Sequence, residues 1–561
     1  NSGAFFFLFT AFLIIYTAIY KRKWSVSIFV IAFSFFFYYK SSGIYFLILV
    51  LTTISDFSFA LLVHKAKQKA WRILWMIMGV IPSLMLLGYF KYTNFVLFNW
   101  SVIVEGNFQP LDIFLPIGIS FYTFQSVSYV IDVYWKKLEP TKNILDYAFF
   151  LSFFPQLVAG PIIKAHDFIP QINKYKKVSN EEVYSGIWLI MIGLIKKAVI
   201  ADYISQYNDL VFAAPDSYSG FENLMAIYGY TLQIYCDFSG YSDIAIGLAR
   251  IMGYDFMLNF NFPYKAKNIT DFWRRWHISL STWLKEYLYI PLGGNRNLSF
   301  FSKMAIPLIL FLILIFKGWE WTNVIYFAAI TSICLVAFIF PKIKILTFLS
   351  WASIVSLIII IFPSNLFAAI YLVIVLGIWM LVFFNPKATQ HVKTGINNML
   401  TMLIGGLWHG ANWKFVFWGA MHGVALAVHK ASKKFLDKIP NNFASNFLSW
   451  FITFHFVIFL WVFFRATDIK KEYVATEIVN GTEQEVIKND TLNAFNVSWM
   501  MVDRIFTDWD GIDENEQLAE NEINPDPNLA LYGNPISDES DSGNLTQNKS
   551  IVLHFLSVRY V

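Results

Sequence analysis

Apolar residues recur in blocks separated by short polar breaks, from the first residues to about residue 465. A crossing helix needs about 20 predominantly apolar residues. Blocks near 4–20, 25–39, 44–63 and 72–90 predict four spans, and 113–134 predicts another crossing. The loops between them alternate in charge: Lys21-Arg22-Lys23, the sparse Lys40 to Gly43, the basic stretch 65–72, then Trp135-Lys136-Lys137. Basic loops mark the cytoplasmic side, which puts the N-terminus outside. Further spans are expected near 184–201, ending at Lys196-Lys197, and at 446–464. Four apolar runs near 304–316, 324–340, 344–362 and 366–383 read as lipid-facing scaffold. No small-residue cleavage site follows the first block, so it predicts a retained span and not a removable signal. The chain starts on Asn1 and not Met, which predicts that a few residues precede it.

Three stretches break this pattern. Between 144 and 172, Pro155, Gly160 and Pro161 interrupt an apolar run. An interior proline removes a helix hydrogen bond, so a broken or re-entrant segment is expected there, with a kinked span as the alternative. Residues 222–250 embed Asp237 and Asp243 in an apolar helix, and carboxylates there need partners or water. Pairing with Arg250, Arg274 or Arg275 and a direct chemical role stand side by side. Residues 269–296 carry Phe272, Trp276, Leu280, Trp283 and Tyr287 at three- and four-residue spacing, interrupted by Arg274, Arg275, Lys285 and Glu286. That predicts an interfacial amphipathic helix, capped by Thr270 or Asp271 and ended by Pro291 and Gly293-Gly294. It also carries His277, which is either functional or a plain interfacial histidine.

The densest polar chemistry within an apolar run lies at 401–423, TMLIGGLWHGANWKFVFWGAMHG. A histidine at membrane depth is costly and usually faces a cavity or a partner; the alternative for His409 is a packing role with one hydrogen bond. In a continuous helix, Asn412 and Trp413 would share the face of His409. Trp408 and His422 crowd the same turns. Gly406–Gly410 and Gly419–Gly423 have the small-xxx-small spacing that lets helix backbones approach closely.

Composition agrees with the pattern. The chain of 561 residues is 57% hydrophobic, 19% aromatic and only 14% charged, against about a quarter charged in soluble domains. The fold expected is an all-α polytopic membrane protein. A net charge of +5, gathered in short loops, suits cytoplasmic loops and not nucleic-acid binding. Cys236 and Cys334 both lie in apolar runs, which argues against a disulfide framework or a thiolate metal site. Beyond Arg465 the composition turns polar, with no Lys or Arg between Arg504 and Lys549. Residues 466–561 therefore read as a polar, acidic, partly disordered tail.

Neutral imidazole is the usual general base near neutral pH. Neither HxxxH nor HExxH spacing surrounds His409 or His277, so no metal site is expected. No G-x-S-x-G turn and no Gly-rich phosphate loop occurs. What remains is acyl transfer to a hydroxyl, with donor and acceptor brought together in the membrane. A transporter lined by the same polar residues is the rival of another class.

DFWRRWHISLSTWLKEYLYIPLGGNR and MLIGGLWHGANWKFVFWGAMHG together resemble the paired signature of the membrane-bound O-acyltransferases. YCDFSGYSDIAIGLAR and FFPQLVAGPI are similar to further signatures of its bacterial branch, that of the alginate O-acetylation membrane protein. The resemblance covers residues 1–465 and implies a ring of helices around a funnel, with re-entrant and interfacial helices. It implies that His409 is essential, with His277 as its partner histidine. Trp408, Asn412, Trp413, His422 and Trp276 would then line the substrate channel, with Asp237, Asp243, Arg274 and Arg275 in support. It implies an acyl thioester such as acetyl-CoA as donor, no permanently bound cofactor, a polysaccharide acceptor and an extracytoplasmic acyltransferase or esterase-like partner. The setting it implies is the bacterial inner membrane, among membrane lipids. Acylation of teichoic acid, D-alanylation included, or of peptidoglycan is the alternative within the family. Two departures stand out: a multi-helix insertion at about 300–385, and the acidic tail where relatives continue with membrane helices.

Overall fold

The computed structural model describes residues 3–104, 106–174, 177–299, 301–302, 386–479 and 482–509. The runs expected between 304 and 383, and so the insertion they form, lie outside the described residues, as does the tail beyond 509. The described chain is helical as expected, with one β-hairpin added. Four of its helical stretches, 23–65, 69–102, 180–213 and 443–465, are long and apolar enough to cross a membrane, and the protein is a multi-pass membrane protein. Its backbone divides into two compact units, each built from separate pieces of chain: Asn1–Leu84, Pro116–Asn261 and Phe451–Val561 in the first, Met85–Leu115 and Phe262–Trp450 in the second.

The first unit opens with α1 (Gly3–Ile19), α2 (Lys23–Ser42), α3 (Phe46–Lys65) and most of α4 (Lys69–Leu87). The helix α5 (Thr93–Ile103) belongs to the second unit. Chain 113–134 is only partly a helix: α6 runs from Ile119 to Tyr134, after a left-handed Gly118. At 16 residues it is about 24 Å long, short of a 30 Å hydrocarbon core, and nearly every residue is buried. The segment at 144–172 is broken, as its prolines require, into α7 (Ile144–Ser152), α8 (Phe154–Leu157) and α9 (Ala165–Ile172).

Next, α10 (Asn180–Leu194) continues through a wide π turn at Ile195–Ala201 into α11 (Asp202–Ala213). The long α12 (Gly220–Ile251) runs antiparallel to α10. Glycines seven residues apart on each helix make that approach possible. A Cβ on Gly193 would stand 2.5 Å from the Gly240 carbonyl oxygen, and one on Gly247 would stand 2.6 Å from that of Gly186. The lysines expected at the end of a span therefore sit inside a continuous helical stretch, facing α12.

In the second unit the expected interfacial helix is two pieces, α13 (Ile269–Arg275) and α14 (Ile278–Trp283), the latter running into a π turn at Leu284–Tyr289. Its cap is Asn268, whose side chain accepts from the Asp271 amide at 2.8 Å, and not Thr270 or Asp271. The motif at 401–423 is likewise two helices, α15 (Pro386–His409) and α16 (Trp413–Leu436). They pack closely because Gly406 and Gly419 face each other. A Cβ on either would lie 2.2 Å from a backbone carbonyl, of Phe415 and Met402 respectively.

α17 (Phe443–Arg465) is followed by β1 (Ile469–Val479) and β2 (Thr482–Leu492), paired antiparallel, and then by α18 (Ala494–Thr507). Within the stretch read as a polar, acidic, partly disordered tail, residues 469–507 thus hold a hairpin and a helix. Asn493 caps α18, and Ala494, Val497, Ser498 and Met501 form a buried stripe at helical spacing.

Candidate active site

Three histidines of the second unit share one aromatic cluster. His409 is the last residue of α15, half-buried, and His422 is fully buried two turns into α16. His277 is fully buried at the break between α13 and α14. The Trp408 ring lies 6.3 Å from that of His277 and 4.9 Å from that of His409, centroid to centroid. Trp418 in turn stands 5.2 Å from His409 and 4.6 Å from His422. Trp273 lies 5.1 Å from His422, and Phe272 is nearly parallel to it at 6.1 Å.

The backbone of His277 is strained. Its φ of 41° and ψ of 58° are left-handed, a conformation that costs a side-chain-bearing residue about 1–2 kcal/mol. Such strain gathers where a side chain must point in a direction regular structure does not provide. Here it ends α13 at Trp276 and turns the ring to within the reach of Trp408 just described. Ser279 Oγ stands 3.5 Å from His277 Nδ1, the outer limit of a hydrogen bond.

Helix α15 ends because Gly410, Ala411 and Asn412 form a turn. A Cβ on Gly410 would lie 2.0 Å from the Phe415 ring. Asn412 does not extend the His409 face; it caps α16, its side chain accepting from the Lys414 amide at 3.0 Å. Trp413 is 42% exposed, and its indole donates to Asn99 Oδ1 at 2.8 Å. Trp276 is buried, stacked on Phe272 at 5.7 Å.

The expected arginine partners of the aspartates are also corrected. Asp243 pairs with Lys196 at 2.6 Å, and Asp237 pairs with Lys197, which also binds Asp202 at 2.8 Å. Arg275 binds Asp271, four residues earlier on α13, at 2.9 Å, and Arg274 is exposed. Arg250 Nη1 donates to Ser185 Oγ at 3.4 Å. Sequence reasoning missed Trp418, Trp273 and the pair Lys91-Tyr92, which touches the last turn of α15. Lys91 donates to the Trp408 carbonyl and Tyr92 OH to that of Leu407, at 2.7 Å for the tyrosine. A lysine at the end of the fourth apolar run was the available signal. Among the described residues no group of three or more His, Cys, Asp or Glu could hold a metal ion.

The membrane-bound O-acyltransferase family model matches residues 140–340. A peptidoglycan O-acetyltransferase of Helicobacter pylori is 33% identical over 469 residues, 78% of this chain and 70% of that protein. A probable alginate O-acetylase, AlgI, of Azotobacter vinelandii is 36% identical over 399 residues, 70% of this chain and 60% of that protein. A teichoic acid D-alanyltransferase of Bacillus subtilis is 32% identical over 188 residues, 33% of this chain and 48% of that protein. The match thus spans well over half of the first two relatives and falls short of two thirds of the alginate protein.

Proposed function

Because this chain belongs to the membrane-bound O-acyltransferase family, we propose that it moves an acetyl group from a cytoplasmic thioester donor to hydroxyls of an exported polysaccharide. The observation that carries this reading is the half-buried His409 at a helix end, joined to a strained, buried His277 through one indole. Of the three histidines, His409 alone is not fully buried. His409 accepts the proton of the attacking hydroxyl as its oxygen forms the new C–O bond to the acyl carbon. The C–S bond breaks, and the thiolate leaves with a proton, returned by the imidazolium. His277 positions the acyl group, and Trp408 holds the two rings in register. Acetyl-CoA fits as donor because acetyl transfer is what the names of two relatives share. The attacking hydroxyl is the polymer's own or that of an extracytoplasmic acyltransferase or esterase-like partner, which then passes the acetyl group to the polymer.

Peptidoglycan is the second acceptor reading, supported by the 469-residue match to the Helicobacter pylori protein. The test is His409→Ala in cells, with polymer export and ester content measured together. Removing a general base costs roughly 10²–10⁴-fold in rate, so ester groups should vanish while export continues. Normal ester content in that variant would overturn the enzymatic role of His409. Loss of export itself would favour a transporter. Ester analysis of the two polymers separately decides the acceptor.

A further inference from the structure

One face of the helical stretch that passes from α4 into α5 grips the turn carrying His409. The stretch widens into a π turn at Gly88–Tyr92 before α5 begins. Wide turns of this kind re-aim side chains and are frequent at functional sites. Lys91, Phe95 and Asn99 are four residues apart and so lie along one face. The Lys91 ammonium donates to the Trp408 carbonyl and stands 5.5 Å from the centroid of the Trp408 ring. Phe95 packs against the Trp413 ring at 5.6 Å, and Asn99 accepts from the Trp413 indole. Both sides of the α15–α16 break are thereby held by a single face.

An ammonium within a bilayer-length apolar stretch is expensive, and a leucine or methionine would pack there at no such cost. What the ammonium adds is a charge-assisted bond to a carbonyl in the last turn of α15. It also places a cation at the negative end of the α15 dipole and against an indole face. The carbonyl it holds belongs to the residue before His409, and the ring it faces is the one between His409 and His277. Tyr92 secures the carbonyl one residue further back.

We propose that Lys91 is a positioning residue for the acyl transfer, fixing the final turn of α15 so that the His409 imidazole and the Trp408 indole keep one orientation. This rests on His409 being the reacting imidazole. A displacement of about 1 Å at a reacting group can cost about 10²-fold in rate. Lys91→Met should therefore lower kcat by about that factor, with KM for the thioester donor little changed. Lys91→Arg, which keeps the charge and the donors, should recover most of it. Lys91→Gln, a neutral donor, should fall between.

The assay measures acetyl transfer per folded enzyme in membranes from cells that express the whole acetylation system, partner included, using acetyl-CoA and a soluble polysaccharide acceptor. Diethylpyrocarbonate labelling of His409, mapped by mass spectrometry, gives a second readout independent of turnover. Its rate should change in Lys91→Met and return in Lys91→Arg. Wild-type kcat per folded enzyme in Lys91→Met or Lys91→Gln would overturn the proposal. So would equal losses in the Arg and Met variants, which would mean that the site tolerates only native packing. If His409→Ala proves inactive while the Lys91 variants are normal, this inference alone fails. If His409→Ala is active, the reading of His409 fails first and this one with it.

Discussion

At the scale of single residues, His277 carries the sharpest backbone demand of the aromatic cluster, a left-handed φ of 41° on a buried side chain. His409, His277 and His422 are rare polar rings in apolar surroundings, and that rarity is visible in any linear reading. The left-handed break at His277 leaves no such trace, because Gly and Asn are the residues that announce that conformation and neither stands there. The strain makes a prediction whose sign is opposite to ordinary helix preference. Glycine adopts this backbone freely, whereas alanine retains a cost of about 1–2 kcal/mol. His277→Gly should thus be more stable than His277→Ala by about 1 kcal/mol, although both lose the ring and, on the proposed reading, most activity. Thermal unfolding of the two variants in the same detergent measures this. An alanine variant as stable as the glycine one would mean that position 277 does not hold a left-handed backbone.

At the scale of elements, the hydrophobic pattern locates most of the described helices and the break at 144–172, while α5, α11, α18 and the breaks at 276–277 and 410–412 lie outside it. Asn412, with Gly410 before it, is a cap signal inside 401–423, and it decides against the continuous helix that periodicity there permits. The carboxylates of α12 need partners, for which the linear sequence offers Arg250, Arg274 and Arg275 beside a direct chemical role, and the structure supplies Lys196 and Lys197. The actual pairing is set by register: Gly193 against Gly240 and Gly186 against Gly247 bring the lysines of the π turn beside Asp237 and Asp243. No local pattern encodes that register, since it depends on which glycines of two separate helices meet. Breaking a buried ion pair from one side costs about 3–5 kcal/mol, whereas replacing both partners by apolar groups is often near neutral. The side chains here are 24% and 13% exposed, so Asp243→Ala should fall at or below the low end of that range. Lys196→Met combined with Asp243→Leu should regain most of the loss. Stability and acetyl transfer measured on both variants separate scaffold from chemistry. A stable but inactive double variant would assign the pair a chemical role.

At the scale of the whole molecule, both units are assembled from separate stretches of chain, and the last stretch of the first unit shows how that assembly is fastened. The acidic composition after Arg504 masks the apolar stripe of α18, which lies before it. That helix docks on the start of α12: the Gly220 amide donates to the Asp508 carbonyl at 2.7 Å, and Arg504 Nε donates to that of Tyr218 at 3.0 Å. Phe463 of α17 packs against Phe495 and Trp499 of α18 at 5.3 and 5.4 Å. Gly220 is the closest point of this contact, since a Cβ there would lie 2.2 Å from the Arg504 carbonyl oxygen. Within an isolated helix, Gly→Ala is favourable by about 1 kcal/mol. Here the added methyl meets backbone on the neighbouring helix, and overpacking of this kind costs roughly 1–3 kcal/mol. Gly220→Ala should consequently destabilise the protein and loosen α18, with faster amide exchange across 218–223 and 494–508. Unchanged exchange, together with the stabilisation that helix propensity alone would give, would mean that α18 is not held against α12.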